Sequence, residues 1–150
     1  GKTVVFRVLE ALFGSYAMQI ASNQIDPQND LNLRKEIHRN RHARIVLINE
    51  VAKKAIVNEV LLKTIVGRDT LSSPYQRTDA KSYVFYGNVF MMGNSPLVST
   101  IHNGQTELDS RIEYLPWGRP VTKMVSDLSE ELCQQHHLDE FYSSLLEDVV

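Results

Sequence analysis

Apolar residues recur at helical spacing through Val4, Val5, Val8, Leu9, Leu12 and Phe13, which predicts a helix running from Val4 as far as Met18 unless Gly14 closes it or its first long section. Met18 to Ile20 reads as a short strand. Pro27 and Asp30 then mark a turn and a helix N-cap, leading into a charged helix whose apolar positions are Leu31, Leu33 and Ile37. The run Ile45-Val46-Leu47-Ile48 is aliphatic without a break and bounded by charge, the signature of a strand buried on both faces. It ends in Asn49-Glu50. Helical spacing returns from Val57 to Val66 and stops at Gly67. Asp69 to Lys81, with Pro74 and several Ser and Thr, predicts an irregular loop or a β-hairpin. Tyr83 to Met92 predicts one strand, or two with Gly87-Asn88 as the turn between them. Gly93 to Pro96 halts that segment, Ile112 to Leu115 reads as a further strand before Pro116, and Leu128 to Leu146 as one or two acidic amphipathic helices.

Alternation of helices with buried strands predicts an α/β sheet covered by helices on both faces. Ligands of such sheets bind at the carboxyl ends of the strands. Glu50, Asn94 and Arg111 all fall at predicted strand ends or the loops beside them.

With 150 residues, 43% of them hydrophobic and 23% charged, the chain is long enough for one domain with a substantial core. Sixteen Lys and Arg against eighteen Asp and Glu leave a net charge of −2, so no global basic field points to nucleic acid. The charge is unevenly spread, however. Arg34, Lys35, Arg39, Arg41 and Arg44 crowd together with His38 and His42, whereas no Lys or Arg follows Lys123. That cluster reads as a local binding surface or as a solvated helix face. Cys133 has no second cysteine to pair with, and no signal peptide or apolar run of membrane-spanning length occurs. A reducing, cytoplasmic setting without membrane association is expected. His102, His136 and His137 lack metal-ligand spacing, so no zinc site is predicted.

The chain begins Gly1-Lys2-Thr3 immediately ahead of the first helix. These are the last residues of the phosphate-binding loop G-x-x-x-x-G-K-[ST], in which backbone N–H groups wrap the phosphates, Lys meets the β/γ-phosphates and the hydroxyl holds Mg²⁺. The glycine-rich half of such a loop and its strand would precede Gly1.

Taken in order, Gly1-Lys2-Thr3, Ile45 to Glu50, Lys63 to Asp69, Val89 to Pro96 with Asn94, and Asp109-Ser110-Arg111 running into Leu115-Pro116-Trp117 resemble the motifs of a superfamily 3 helicase. More narrowly, the likeness is to the carboxyl-terminal ATPase domain of phage, plasmid and poxvirus primase-helicases. The five motifs span roughly residues 1 to 118. Four details depart from the family pattern: Gly67-Arg68-Asp69 where Gly-Gly-Asp is usual, Gly93-Asn94-Ser95-Pro96 where the sensor strand ends in Thr-Asn-x-x-Pro, Trp117 in place of Phe, and Asn49 rather than an acid before Glu50.

The resemblance implies an AAA+-like P-loop NTPase core over residues 1–125, lacking its first strand, with a helical segment of the same domain over 126–150. It implies ATP and Mg²⁺ as cofactors. Lys2 would neutralise the phosphates with Gly1 beside it, and Thr3 would ligate the metal together with Glu50, which would also polarise the attacking water. Asn94 would be the sensor of the γ-phosphate. Arg111 would act in trans as an arginine finger in a ring oligomer, commonly a hexamer. Tyr75, Gln76, Arg77 and Lys81 would belong to a hairpin that grips single-stranded or forked DNA, an aromatic ring beside cations being suited to that task. The activity implied is ATP-driven DNA translocation and strand separation in a viral, phage or plasmid replication protein, in a bacterial host or prophage. The alternative from a different class is a non-catalytic remnant serving as an oligomerisation or DNA-binding module. Residue by residue, bland alternatives stand beside these roles: a solvated acid for Glu50, a turn-former before Pro96 for Asn94, a surface ion pair with Asp109 or Glu113 for Arg111.

Overall fold

The computed structural model describes residues 2–52, 57–72, 82–94, 109–116 and 127–147. Along them run α1 (Lys2–Phe13), β1 (Ala17–Ala21), α2 (Asp30–Arg39), β2 (Ile45–Val51), α3 (Glu59–Val66), β3 (Thr70–Ser72), β4 (Ser82–Val84), β5 (Asn88–Gly93), α4 (Leu128–Leu132) and α5 (Gln135–Glu147). The chain is α/β. Its centre is a three-stranded sheet in the order β1-β2-β5, parallel throughout, while β3 and β4 form a separate antiparallel pair.

The aliphatic run Ile45–Ile48 becomes the middle strand, and all four residues are buried. Successive side chains of a strand point to opposite faces, so this run supplies both cores. Val46 and Ile48 join Met18, Ile20, Leu33, Ile37, Leu61, Leu62 and Ile65 on the face covered by α2 and α3. Ile45 and Leu47 join Phe6, with Leu9, Phe13, Ala17 and Met92, on the face covered by α1. The helix that precedes the first strand and the two that follow it therefore lie on opposite sides of the sheet.

Local chemistry sets where the helices begin and end. Asn58 is the N-cap of α3, its side chain accepting the N–H of Leu61 at 3.1 Å, which starts the helix two residues after the predicted Val57. Asp30 is the first residue of α2 rather than its cap. Its carboxylate accepts Arg34 Nε and Asn58 Nδ2, both at 2.7 Å, and so ties the heads of α2 and α3 together. Gly14, with φ of 50°, ends α1 as predicted.

Two expectations are corrected. Gly87-Asn88 is not a hairpin turn: β4 pairs with β3, and Asn88 opens β5 beside Ile45. Glycine is needed at 87 for another reason, because a Cβ there would stand 2.5 Å from the buried ring of Phe85. Ile112 to Leu115 is not a strand. Ile112 packs against the core, but Glu113, Tyr114 and Leu115 are exposed in succession, and a segment without alternate burial gives a sheet no face to bury.

The acidic C-terminal segment forms α4 and α5 and packs on α1. Arg7 Nη1 donates to Ser129 Oγ at 3.0 Å, Cys133 Sγ lies 3.6 Å from the Arg7 carbonyl, and the Tyr142 hydroxyl donates to the Leu12 carbonyl. Among the described residues no helix is long and apolar enough to cross a membrane.

Half-buried Tyr83 stands edge-on to His38, ring centroids 5.2 Å apart. Burial raises its phenol pKa above the ordinary value, against a smaller lowering by Arg34 and Arg41. The unfolded chain then loses that proton first as pH rises through about 10. Stability contributed by the neutral phenol is complete below that pH and is lost between the unfolded pKa and the higher folded one. A Tyr83→Phe variant is expected to show a shallower alkaline fall in Tm across this window. An identical fall in both proteins, followed by circular dichroism, would rule the phenol out as its source.

Candidate functional site

Parallel pairing puts the carboxyl ends of β1, β2 and β5 along one edge of the sheet. Glu50 lies near the end of β2, and Asn94 follows the last residue of β5 directly. Val51 pairs with Gly93, so Glu50 and Asn94 stand at the same edge of neighbouring strands. Both are exposed there.

The register around Glu50 is irregular. Ile48 pairs with Met91 and Val51 with Gly93, so Asn49 and Glu50 on β2 stand opposite Met92 alone on β5. One extra residue in a strand is a β-bulge, a device that bends the strand and re-aims a side chain. Glu50 also has φ of 54°. A residue with a Cβ is rarely found in that left-handed region, which costs it on the order of 1 kcal/mol. The same chain places Arg68 at φ 57° in the turn after α3. Such outliers persist where the surroundings over-determine the backbone, most often at functional positions.

Asn49, the neighbour of Glu50, contributes a feature its residue type did not announce. Its Oδ1 is buried and has no hydrogen-bond partner among the described residues. Asn49 is still in register with Ala21, so by alternation from Ile45 and Leu47 it lies on the α1 side of the sheet. An amide oxygen buried there is an acceptor held ready for a donor such as a hydroxyl or water.

Chain geometry directs the head of α1 towards the same edge. Residues 14–16 alone link α1 to β1, and α1 packs across Ile45 and Leu47. A helix of 12 residues is about 18 Å long, so one that starts back from the amino end of β1 carries Lys2 and Thr3 towards the carboxyl edge. Thr3 is exposed in the first turn. Gly1 lies outside the described residues, as do Tyr75, Gln76, Arg77 and Lys81; the segment holding those four connects the antiparallel β3 and β4.

Arg111 is not brought to this edge. It sits at the far end of α3, where its Nη1 donates to the Lys63 carbonyl at 3.3 Å and would be 2.9 Å from a Cβ on Gly67. The head of α3 is anchored beside the end of β1 through the bond from Asn58 N to Ile25 O, so the length of that helix separates Arg111 from the site's edge. In the isolated chain Arg111 is a cation on the carboxyl end of a helix, a favourable place for positive charge. The bland alternative for Arg111 is a surface ion pair with Asp109 or Glu113; Arg111 and Glu113 form no ion pair, and the Asp109 side chain lies outside what the structure describes.

No protein-family model matches the chain, and no curated protein matches it.

Proposed function

We propose that the chain is the ATPase core of a ring-forming DNA helicase of the superfamily 3, AAA+-like type. The observation that carries this reading is the side-switch of α1. Connections between parallel strands are almost always right-handed. With α2 and α3 on one face, the chain advances from β1 through β2 to β5. A helix on the opposite face must then have come from the opposite direction. A parallel strand leading into α1 would lie beyond β5, next to Asn94, and its loop into Lys2 would cross the carboxyl edge beside Glu50. The point where the direction of winding reverses is where open α/β sheets bind ligands.

In this reading the N-terminus of α1 binds the phosphates through its unpaired N–H groups and its dipole. Lys2 neutralises their charge. Glu50, turned out by the bulge, accepts a proton from the attacking water and orients it. Asn94 holds that water or the γ-phosphate by its amide. The Thr3 hydroxyl and the Glu50 carboxylate would offer oxygen ligands of the kind Mg²⁺ takes, directly or through its waters. That ion, when bound, supplies charge neutralisation across the phosphates.

The test is ATP hydrolysis in a polypeptide carrying a complete loop ahead of Lys2. Phosphate release that requires Mg²⁺ and rises on adding single-stranded DNA is expected. A folded protein that binds no ATP would overturn the motor reading, and DNA binding or oligomerisation without turnover would support the non-catalytic module instead.

A further inference from the structure

At the opposite edge of the sheet, away from the proposed nucleotide site, a second surface collects cations and exposed aromatic rings. Ala17, Ile45 and Asn88 are in register across β1, β2 and β5. The residues just before them, Tyr16, Arg44 and Gly87, therefore stand level along the amino edge. The Arg44 N–H donates to the Tyr16 carbonyl at 2.8 Å, and its own carbonyl accepts the Asn88 N–H at 2.9 Å. Tyr86 precedes Gly87, so Tyr16 and Tyr86 flank Arg44 across two strand spacings, about 10 Å.

Both tyrosines are more than half exposed, at 53% and 54%. Each has a basic group against it. The His42 ring meets Tyr16 edge-on with centroids 6.5 Å apart, and Arg68 lies over Tyr86 at 5.9 Å. Arg41 and Arg44 each donate to a nearby backbone carbonyl, of His38 at 3.3 Å and of His42 at 3.4 Å. A guanidinium has five N–H donors, and among the described residues neither arginine has an ion-pair partner. Between Leu31 and Asn49 the one acidic residue is Glu36, engaged by Asn40 Nδ2 at 2.9 Å and Arg39 at 3.7 Å.

A charged helix face alone would carry no more than solvation. Rings left in water near guanidinium groups that have no ion-pair partner among the described residues present something further: π-faces for bases and forks for phosphates, the combination that binds single strands without regard to sequence. We propose that the amino edge formed by Tyr16, Arg41, Arg44, Arg68 and Tyr86 binds single-stranded DNA, with bases stacked on the two tyrosines and phosphates on the arginines. The surface stands independently of the ATPase reading and rests on it only for the choice of DNA over RNA.

The test is fluorescence anisotropy of a labelled oligothymidylate of about 20 nucleotides, longer than the site of one small domain, titrated with the full chain at low salt and without ATP. Tyr16→Ala combined with Tyr86→Ala is expected to weaken binding at least about tenfold, and the paired Phe substitutions to restore it. Arg41→Gln with Arg44→Gln is expected to reduce the slope of log K against log salt by about 1.4, roughly 0.7 for each phosphate of a single strand that is no longer neutralised. Failure of the wild type to bind, or undiminished affinity in an alanine pair that circular dichroism finds folded, would overturn the proposal. So would equal affinity for duplex DNA or tighter binding of oligouridylate. A wild type that hydrolyses ATP but does not bind the oligonucleotide would sink the surface alone, and one that binds it at this surface but does not hydrolyse ATP would sink the motor alone.

Discussion

Glu50→Gln, in a polypeptide with a complete phosphate loop, is expected to bind ATP as well as the wild type while losing about 10²- to 10⁴-fold in turnover, the usual contribution of a positioned general base. The amide keeps the shape of the side chain and an oxygen that can still face the metal or its waters, and takes away the charge and the ability to accept a proton from water. Glu50 is exposed and makes no contribution to either apolar cluster, so the substitution has no core to disturb. Its left-handed backbone, φ 54°, is no less compatible with glutamine than with glutamate. Equal Tm values in the two proteins should accompany the kinetic loss. Single-turnover hydrolysis and equilibrium binding of a labelled nucleotide separate the alternatives. A fall in turnover of less than tenfold would remove Glu50 from catalysis, and a loss of affinity of comparable size would assign it to holding the metal instead.

The sheet's centre was legible because Ile45 to Ile48 has no polar interruption and is short, mostly β-branched and bounded by charge, which favours a strand covered on both sides over a buried helix. Helix ends were readable where their signal is local: Gly14 and Gly67 stop α1 and α3 as expected. Where a stop or turn residue serves a tertiary contact, the same reasoning fails. Gly87 looks like a turn residue, yet it is glycine because the Phe85 ring occupies the space of a side chain, and nothing in the local sequence names Phe85 as the obstacle. Ile112 to Leu115 has the residue types of a strand but only Ile112 meets the core, a fact set by packing rather than propensity.

At the candidate site, Glu50 and Asn94 could be assigned to strand ends from the sequence, and parallel pairing brings those ends together. The bulge could not be foreseen. It depends on Asn49 and Glu50 facing a single residue, Met92, across a pairing that joins segments some forty residues apart. The burial of Asn49 Oδ1 is hidden for the same reason: composition gives an amide, and only the register puts its oxygen on the interior side. The cluster from Arg34 to Arg44 was visible as charge. Its convergence with Tyr16 and Tyr86 arises only when three strands align their amino ends.

Arg111→Ala should separate two roles that differ greatly in size. In the isolated chain Arg111 donates to the Lys63 carbonyl at the end of α3. A cation at an exposed helix terminus stabilises by about 0.3–1 kcal/mol, so removing that hydrogen bond alone would lower Tm slightly and leave turnover within a small factor. An arginine finger stabilises transition-state charge and contributes about 10³–10⁵ in kcat. Since α3 separates Arg111 from the edge that carries Glu50 and Asn94, a finger role requires the ATP of a neighbouring subunit. Arg111→Ala is expected to abolish turnover in the assembled protein with nucleotide affinity unchanged and Tm nearly so. Mixing it with Glu50→Gln subunits is expected to restore part of the activity, because some interfaces then join an intact Glu50 to an intact Arg111. Verified mixed oligomers without any recovery, or full activity in a strictly monomeric wild type, would confine Arg111 to capping α3. Partial recovery that scales with the fraction of mixed interfaces is the outcome a folding defect cannot imitate.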